Sequence, residues 1–168
     1  MNVAETERLL LRELTVEDAP FIFKLVNEPS WLRFIGDRGV KNLGDARGYL
    51  LKGPIAMYQR HGFGLYLTAL KQGDVPIGMC GLIKRDNLSD VDLGFALLPA
   101  FWGNGYAAEA ARAALTIAHD RFALNRVVAI AAPDNESSIR LLEHVGFRFE
   151  KMFSMTDDVE VKLFAINL

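Results

Sequence analysis

The chain lacks the ligand clusters, the long apolar runs and the basic patches that would indicate a metal, a membrane or a polyanion. A single cysteine, Cys80, among 168 residues excludes an internal disulfide and a cysteine-based metal cluster. The three histidines lie far apart and lack metal-ligand spacing, so no metal is expected. No apolar run approaches the ~20 residues that cross a bilayer. The 19 Lys and Arg are scattered and are balanced by 21 Asp and Glu, so no nucleic-acid partner is expected.

The residues that are abundant are typical of an ordinary folded protein. Hydrophobic residues make up 51% of the chain and charged residues 24%, which is the balance of a globular domain. The length fits a single domain, which we assign to residues 1–168. The start MNVAETERLLLREL carries acidic residues where a signal peptide would carry basic ones. We therefore expect a cytoplasmic protein with no membrane partner.

The pattern of apolar residues predicts an α/β fold. Seven runs have the composition of strands and cover residues 8–14, 63–70, 75–84, 90–98, 125–132, 146–153 and 160–167. Four helices are predicted. The first begins at Thr15, an N-cap with Asp18 at the capping-box position. The others cover residues 44–60, the stretch from the loop after residue 98 to Phe122, and residues 135–145. The strands first follow one another and then alternate with helices, which favours a mixed sheet covered by helices.

The stretch LLPAFWGNGYAAEA, residues 97–110, joins a predicted strand to a predicted helix. The first amides of a helix have no partner within it and carry partial positive charge. Gly103 and Gly105 have no Cβ, so a phosphate can approach these amides closely. The alternative is a tight turn whose alanines let the helix pack closely on the sheet. GNGYAA also matches the dinucleotide fingerprint, but Asn125 stands where that motif requires an acid, so a dinucleotide site is disfavoured.

A second motif, NESSIRLLEHVGF at residues 135–147, follows a strand of the buried type. Its spacing is N-x-x-[A/S]-x-x-L-x-x-x-x-G-F. Together with the loop at 97–110, the start TERLLLREL and the strands IGMCGL and VDLGFAL, it resembles the GNAT superfamily of N-acetyltransferases over nearly the whole chain. The closer likeness is to the branch that acetylates N-terminal amines of ribosomal proteins. The resemblance implies a mixed, mostly antiparallel sheet of about seven strands flanked by helices, with a splayed parallel strand pair at the cofactor site.

The resemblance also implies that the chain binds acetyl-CoA and no metal. The pyrophosphate would bind the loop amides, and the pantetheine arm would lie along the preceding strand as an added strand does. Trp102 stands where many relatives carry Gln or Arg, so we expect the backbone to hold the phosphates and the indole mainly to pack. Asn135 would hold the cofactor arm or serve as a helix N-cap. The implied cofactor-binding residues are Phe95, Ala96, Leu97, Trp102, Gly103, Asn104, Gly105, Tyr106, Ala107, Ala108, Asn135 and Ser138.

Acetyl transfer needs a neutral amine, a base for its remaining proton and a leaving thiolate. An α-amine, with a pKa of about 7.7–8.0, is an easier substrate than a lysine amine at about 10.4. The candidate bases are Asp92 and Glu13, with a solvent-facing acid as the alternative role for Asp92. Many relatives use a tyrosine to protonate the sulfur, and here its position is Leu142. Ser138 is therefore the expected hydrogen-bond donor to the thiolate, with a helix-terminus cap as its alternative role.

The acceptor amine is expected to bind at Trp31, Phe34 and Asp92. The segment of residues 28–42 places exposed aromatics near Asp37 and Arg38, which suits a shallow peptide or small-amine site. It equally suits a hydrophobic lid or a dimer contact.

Two further residues are assigned to structural roles. Cys80 is expected in the core, and Glu109 is expected to point away from the phosphate, bonding the loop or pairing with Arg112. The function predicted from the sequence is an acetyl-CoA-dependent N-acetyltransferase that works by direct transfer, as a monomer or homodimer. The alternatives are a catalytically weak CoA-binding module and an acetyltransferase for polyamines or antibiotics.

Overall fold

A computed structural model describes residues 2–168, which form one eight-stranded sheet with helices on both faces. The strands are β1 (Asn2–Glu5), β2 (Leu9–Glu13), β3 (Leu65–Leu70), β4 (Val75–Ile83), β5 (Asp92–Leu97), β6 (Arg126–Ala131), β7 (Arg148–Thr156) and β8 (Val159–Asn167). Their order across the sheet is β1-β2-β3-β4-β5-β6-β8-β7. Only β5 and β6 pair in parallel among these strands. The expected mixed, mostly antiparallel sheet is confirmed.

The sheet has one strand more than the seven strand-like runs of the sequence. The additional strand is β1, which forms a hairpin with β2 and contains a bulge between Asn2 and Ala4. Four residues are too few to show an alternating pattern, so the sequence gives no signal for it.

Six α-helices cover the sheet within residues 2–168. They are α1 (Ala19–Val26), α2 (Pro29–Phe34), α3 (Leu43–Leu50), α4 (Ala56–His61), α5 (Tyr106–Phe122) and α6 (Glu136–Val145). The capping box at Thr15 is confirmed, with the Thr15 N–H donating to Asp18 Oδ2 at 2.9 Å. It begins a short 3₁₀ turn that leads into α1.

The helix expected over residues 44–60 is divided into three parts. A π-helical segment, Leu51–Ile55, separates α3 from α4 and contains Pro54. Proline has no N–H to donate and its ring clashes with the preceding turn, so a regular α-helix cannot pass through it. The short helix α2 was not predicted from the sequence.

Each face of the sheet has its own hydrophobic core. On one face the alanines of α5, including Ala110 and Ala114, are completely buried against the strands. On the other face α1 and α3 cover the sheet. Neighbouring residues of β3 alternate between the two cores, Tyr66 in the first and Leu67 in the second, as the pleat of a strand requires.

The feature of the sheet that matters for the site is the divergence of β5 and β6. Six residue pairs join β4 to β5, but a single pair, Asp92 with Val128, joins β5 to β6. The N–H of Val128 donates to the carbonyl of Val91 at 3.0 Å, and beyond this point the two strands separate. The splayed parallel pair that the family resemblance implied is therefore present.

Candidate active site

A cavity of about 950 Å³ opens where β5 and β6 separate. Its walls come from β5, from the loop before α5, from the start of α6 and from α2. The predicted site residues that line it are Trp31, Phe34, Asp92, Phe95, Ala96, Leu97, Trp102, Gly103, Gly105, Tyr106, Ala107, Ala108, Asn135 and Ser138. The structure thus brings together all of the predicted residues except Glu13 and Asn104.

The loop between β5 and α5 presents bare backbone to this cavity. Gly103 and Gly105 have φ angles of +78° and +81°, a left-handed conformation that glycine adopts without the strain other residues suffer. Gly105 is the N-cap of α5 and provides no side-chain cap. The first amides of this 17-residue helix therefore keep their hydrogen-bonding capacity and the partial positive charge of the helix dipole.

A network on the outer side of the loop holds it in this shape. Glu109 accepts hydrogen bonds from the Thr6 hydroxyl at 2.7 Å and from Arg8 Nε at 3.0 Å. Arg8 also donates to the Asn104 carbonyl at 2.9 Å and lies 4.4 Å from the centre of the Tyr106 ring. Partial burial opposes ionisation of Glu109, but the hydrogen bonds from Thr6 and Arg8 prevail and lower its pKa.

Of the two roles expected for Glu109, the pairing with Arg112 is wrong, whereas the bonding that steadies the loop is present through Arg8. Its carboxylate pairs with Arg8 rather than with Arg112, because α5 turns Glu109 toward the β1–β2 hairpin. Asn104 uses its side-chain amide to bond the carbonyls of Phe101 and Trp102. Asn104 therefore belongs to the supporting side of the loop, away from the cavity.

Trp102 lies at the end of β5. Its side chain is only partly covered, since the residue is 53% exposed, and its indole N–H donates to the Leu97 carbonyl at 2.9 Å. The expectation that Trp102 mainly packs therefore needs correction, because the indole is fixed by a hydrogen bond to the strand end rather than by burial.

Asp92 is a buried carboxyl group at the point where β5 and β6 diverge. It is 1% exposed, so its alternative role as a solvent-facing acid is wrong. Its Oδ2 accepts from Arg85 Nε at 3.2 Å, while Oδ1 has no hydrogen-bond partner among the described residues. Burial raises the pKa of Asp92, and the positive charges of Arg85 and Lys84 act in the opposite direction.

Glu13 lies elsewhere in the sheet. It ends β2 and pairs with Tyr66 of β3, so two strands separate it from β5. At the usual strand spacing, three steps across the sheet amount to roughly 14 Å. Glu13 is not among the residues that line the cavity.

The start of α6 forms the wall that faces the loop. Asn135 is the N-cap of this helix, and its Oδ1 accepts from the Ser138 N–H at 3.3 Å. The Ser138 hydroxyl is not used in that bond, and Ser138 lines the cavity. Leu142 is completely buried in the core, so the position at which relatives carry a tyrosine contributes nothing to the cavity here.

The helix α2 closes another side of the cavity. Trp31 is 6% exposed, which corrects the expectation of an exposed aromatic, and its indole N–H has no partner among the described residues. Phe34 is partly buried, with the Arg33 guanidinium 4.6 Å from its ring centre. Asp37 does not line the cavity. Its carboxylate accepts from the N–H of Gly39 and from Lys41 Nζ.

Cys80 does not line this cavity, and no metal-binding cluster is found among the described residues. Cys80 is buried in the core as expected, and burial raises its pKa to about 12. Residues 2–168 contain no group of three or more His, Cys, Asp or Glu side chains arranged to hold a metal ion. Over the same residues, no helix combines the length and the apolar composition needed to span a membrane.

Comparison with known proteins decides the family. A family model described as Acetyltransferase (GNAT) domain matches residues 8–148. The chain belongs to this family. The acetyltransferase is 28% identical to the uncharacterized N-acetyltransferase YoaA of Bacillus subtilis over 151 residues, which cover 88% of this chain and 84% of the relative.

Solved structures of other acetyltransferases share its fold. One from Agrobacterium tumefaciens matches with a TM-score of 0.83 and 26% identity, over 99% of this chain and 94% of its own. RimL, a ribosomal L7/L12 α-N-protein acetyltransferase solved in complex with coenzyme A, matches with a TM-score of 0.85 and 19% identity, over 100% of this chain and 98% of its own. At that identity RimL shows the fold alone.

Some residues of the acetyltransferase's cavity were not found from the sequence. Arg85 follows β4 and Tyr49 lies on α3, yet both line the cavity. Met155 and Val159, at the β7–β8 turn, also reach it. Their local sequences show no motif, and only the strand order and the packing of α3 bring them to the site.

Proposed function

We propose that this acetyltransferase uses acetyl-CoA to acetylate a primary amine, the α-amino group of a polypeptide, by direct attack in a ternary complex. The observation that carries the proposal is the content of one cavity. It contains the uncapped start of α5, the edge of β5 from which β6 has separated, and the buried carboxyl group of Asp92. The first two features suit an acyl-CoA, and the third suits activation of an amine.

The lining of the cavity suits the donor. The amides of residues 103–108 would bind the diphosphate, because helix N-termini favour anions and glycine backbone allows close approach. The free edge at residues 95–97 would pair with the amide-bearing arm through groups other than the Leu97 carbonyl, which accepts from Trp102. Asn135 and Trp102 would flank the arm. Bound there, acetyl-CoA supplies a thioester carbonyl that is activated toward amines.

Asp92 is the base that the geometry supports. A catalytic base works best when its pKa is near the working pH, and burial raises the pKa of Asp92 in that direction. Arg85 nevertheless favours the ionised form, which alone can accept a proton. The uncommitted Oδ1 would take the proton from the attacking nitrogen, directly or through water. Glu13 lies outside the cavity, so the geometry favours Asp92 over it.

Ser138 would assist the departing sulfur. Its backbone N–H is already bound to Asn135, so the hydroxyl is available to donate toward the cavity. A thiol pKa of about 8.5 makes the thiolate a tolerable leaving group. A hydrogen bond from Ser138 is therefore sufficient, and full proton donation, as from a tyrosine hydroxyl, is not required. Direct transfer is favoured over an acyl-cysteine because Cys80 is buried outside the cavity.

A polypeptide α-amine is proposed as the acceptor for two reasons. Its pKa of about 7.7–8.0 leaves part of it neutral at pH 7, unlike lysine. RimL, which shares the fold, is named as an α-N-protein acetyltransferase. Trp31 and Phe34 would form the apolar wall beside the acceptor, and Asp92 would receive its proton.

The test is CoA release measured on a panel of amines. The panel contains a peptide with a free N-terminus, the same peptide blocked at its α-amine but carrying a lysine, a polyamine and an aminoglycoside. We expect turnover on the free peptide alone. Preferred turnover on the lysine or on the small amines would overturn the α-amine assignment. A thermal shift with CoA but no turnover on any amine would indicate a binding module instead, because a ligand that binds only the folded state raises its stability.

A further inference from the structure

A second cavity, of about 730 Å³, adjoins the first. Five residues line both cavities and thus form the boundary between them: Arg38, Tyr49, Leu65, Ile83 and Arg85. Arg85 is the residue that binds Asp92. The second cavity therefore begins beside the proposed base, at the opposite end of the first cavity from the phosphate-binding loop.

The charged residues of the second cavity are mostly basic. Arg38, Lys52 and Arg85 contribute three positive charges, and Asp45 contributes one negative charge. The Asp45 carboxylate already accepts the N–H of Lys41 at 3.0 Å. Within residues 2–168, neither Arg38 nor Lys52 forms an ion pair, and Arg85 uses only Nε, in its bond to Asp92. Most of the hydrogen-bond donors of the three basic side chains thus have no acceptor among the described residues and are open to a ligand or to solvent.

Tyr49 is close enough to both guanidinium groups for their charges to affect the pKa of its hydroxyl. Burial raises the pKa of its hydroxyl, and the charges of Arg38 and Arg85 both act against this rise. Its hydroxyl forms no hydrogen bond with another described residue. The polar part of the boundary therefore combines the charge of Arg38, the charge of Arg85, which is partly balanced by Asp92, and the Tyr49 hydroxyl.

We propose that this boundary binds a carboxylate carried by the acceptor, so that Arg38 and Arg85 select amines with a negative charge close to the reacting nitrogen. The inference rests on the proposed function and names its substrate class. Guanidinium groups bind carboxylates through charge-assisted and often bidentate hydrogen bonds. An N-terminal peptide with Glu or Asp in its second position has this chemistry, and so does a free acidic amino acid.

The experiment compares acceptors that differ only in charge. Peptides of one sequence carry Glu, Gln or Lys in second position, and the α-amides of glutamate and of glutamine, which lack the α-carboxylate beside the amine, form a parallel pair. We expect kcat/KM for the Glu peptide to exceed that for the Gln peptide by roughly tenfold, which is the effect of one charge-assisted hydrogen bond. A higher kcat/KM for the α-amide of glutamate than for the Glu peptide would identify a small acidic amine as the source of the carboxylate.

The variants separate recognition from folding. Arg38→Gln should bring the Glu-to-Gln ratio close to one, Arg38→Lys should retain part of it, and Arg38→Glu should favour the Lys peptide. Arg47→Gln is the matched control, because Arg47 lies on the same helix as Tyr49 but lines neither cavity. The KM for acetyl-CoA should stay unchanged in Arg38→Gln, and an increase would instead assign Arg38 to the donor.

The outcomes distinguish this inference from the proposed function. Turnover at equal rates on the Glu and Gln acceptors would overturn the carboxylate assignment and leave the acetyltransferase reaction intact. An unchanged ratio in Arg38→Gln would overturn it as well. The absence of turnover on every amine would refute the proposed function and this inference together.

Discussion

The pairing of Arg85 with Asp92 leads to a prediction about pH dependence. If Asp92 is the base, only its ionised form is active, and Arg85 favours that form. Replacing Arg85 with Gln removes the positive charge while the burial of Asp92 remains. The pKa of Asp92 should then rise further above its ordinary value of 3.8, and the loss of kcat/KM in acid should begin at a higher pH.

The size of the shift follows from the distance between the two groups. At the 3.2 Å that separates Arg85 Nε from Asp92 Oδ2, Coulomb's law with an effective dielectric constant of about 20 gives ~5 kcal/mol. This is an upper limit, because the Arg85 side chain is 27% exposed and Lys84 still favours the ionised form. A carboxylate that loses a neighbouring arginine typically shifts by about 1–3 pKa units. We expect a shift in this range.

Two measurements can detect the shift. In the first, log kcat/KM is plotted against pH for the wild type and for Arg85→Gln. The acceptor amine titrates identically in both, so a break that moves between them belongs to the enzyme. In the second, the Asp92 carboxyl carbon is followed directly by ¹³C NMR, with Asp92→Asn identifying the signal. Asp92→Asn should itself lower kcat by roughly 10²–10⁴-fold.

One control keeps a positive charge at position 85, and the other removes a positive charge that does not pair with Asp92. Arg85→Lys keeps a positive charge and should leave the break close to its wild-type position. Arg126→Gln removes an arginine that pairs with Asp90 at 3.1 Å and with Glu150, outside the cavity, and should not move the break. A break that stays in place in Arg85→Gln, or wild-type activity in Asp92→Asn, would refute the assignment of Asp92 as the base.

Three further predictions concern other parts of the site. Ser138→Ala should lower kcat by roughly 10–10²-fold, since it removes one hydrogen bond to a developing thiolate but keeps the backbone bond to Asn135; an unchanged kcat would exclude the role. Glu109→Gln should raise the KM for acetyl-CoA and lower the free energy of unfolding by about 1–3 kcal/mol, measured by urea unfolding. Because the folded-state pKa of Glu109 is lowered, this stability should be present above its ordinary value of 4.5 and be lost as the pH falls through the folded-state pKa. Cys80→Ala should keep full kcat. Native wild-type protein should resist alkylation, because a buried thiol with a pKa of about 12 is neither ionised nor accessible. Rapid alkylation with loss of activity would contradict direct transfer.

The loop before α5 could be predicted from the sequence because its determinants are local. Pro99 ends the strand, Gly103 and Gly105 allow the left-handed turns, and the alanines that follow let α5 lie on the sheet. Each of these effects acts within a few residues. The same holds for the N-cap at Asn135, whose partner is three residues away.

The residues around the base could not be ranked from sequence because their positions depend on strand order. Glu13 and Asp92 are both acids on strands, and nothing local distinguishes them. The antiparallel steps from β2 to β5 separate them, and the turn after β4 brings Arg85 back onto Asp92. The sequence could not choose between the two roles expected for Glu109, the bonding of the loop and the pairing with Arg112, for a similar reason. Arg112 is its neighbour along the helix, but Arg8 is its neighbour across the hairpin.

The divergence of β5 and β6 connects the proposed donor site with the proposed base. Asp92 and Val128 form the last residue pair before the strands separate, so Asp92 lies at the closed end of the opening. There β5 is paired with β4 on one side and with β6 on the other. The residues after it, from Leu93 to Leu97, lack a partner strand on that edge. Burial at the closed end raises the pKa of the carboxyl group, and the missing partner leaves backbone groups free for an amide-bearing arm. A substitution that extended the β5–β6 pairing would therefore remove the donor's edge while leaving Asp92 buried, and it should weaken CoA binding without returning the Asp92 pKa to its ordinary value.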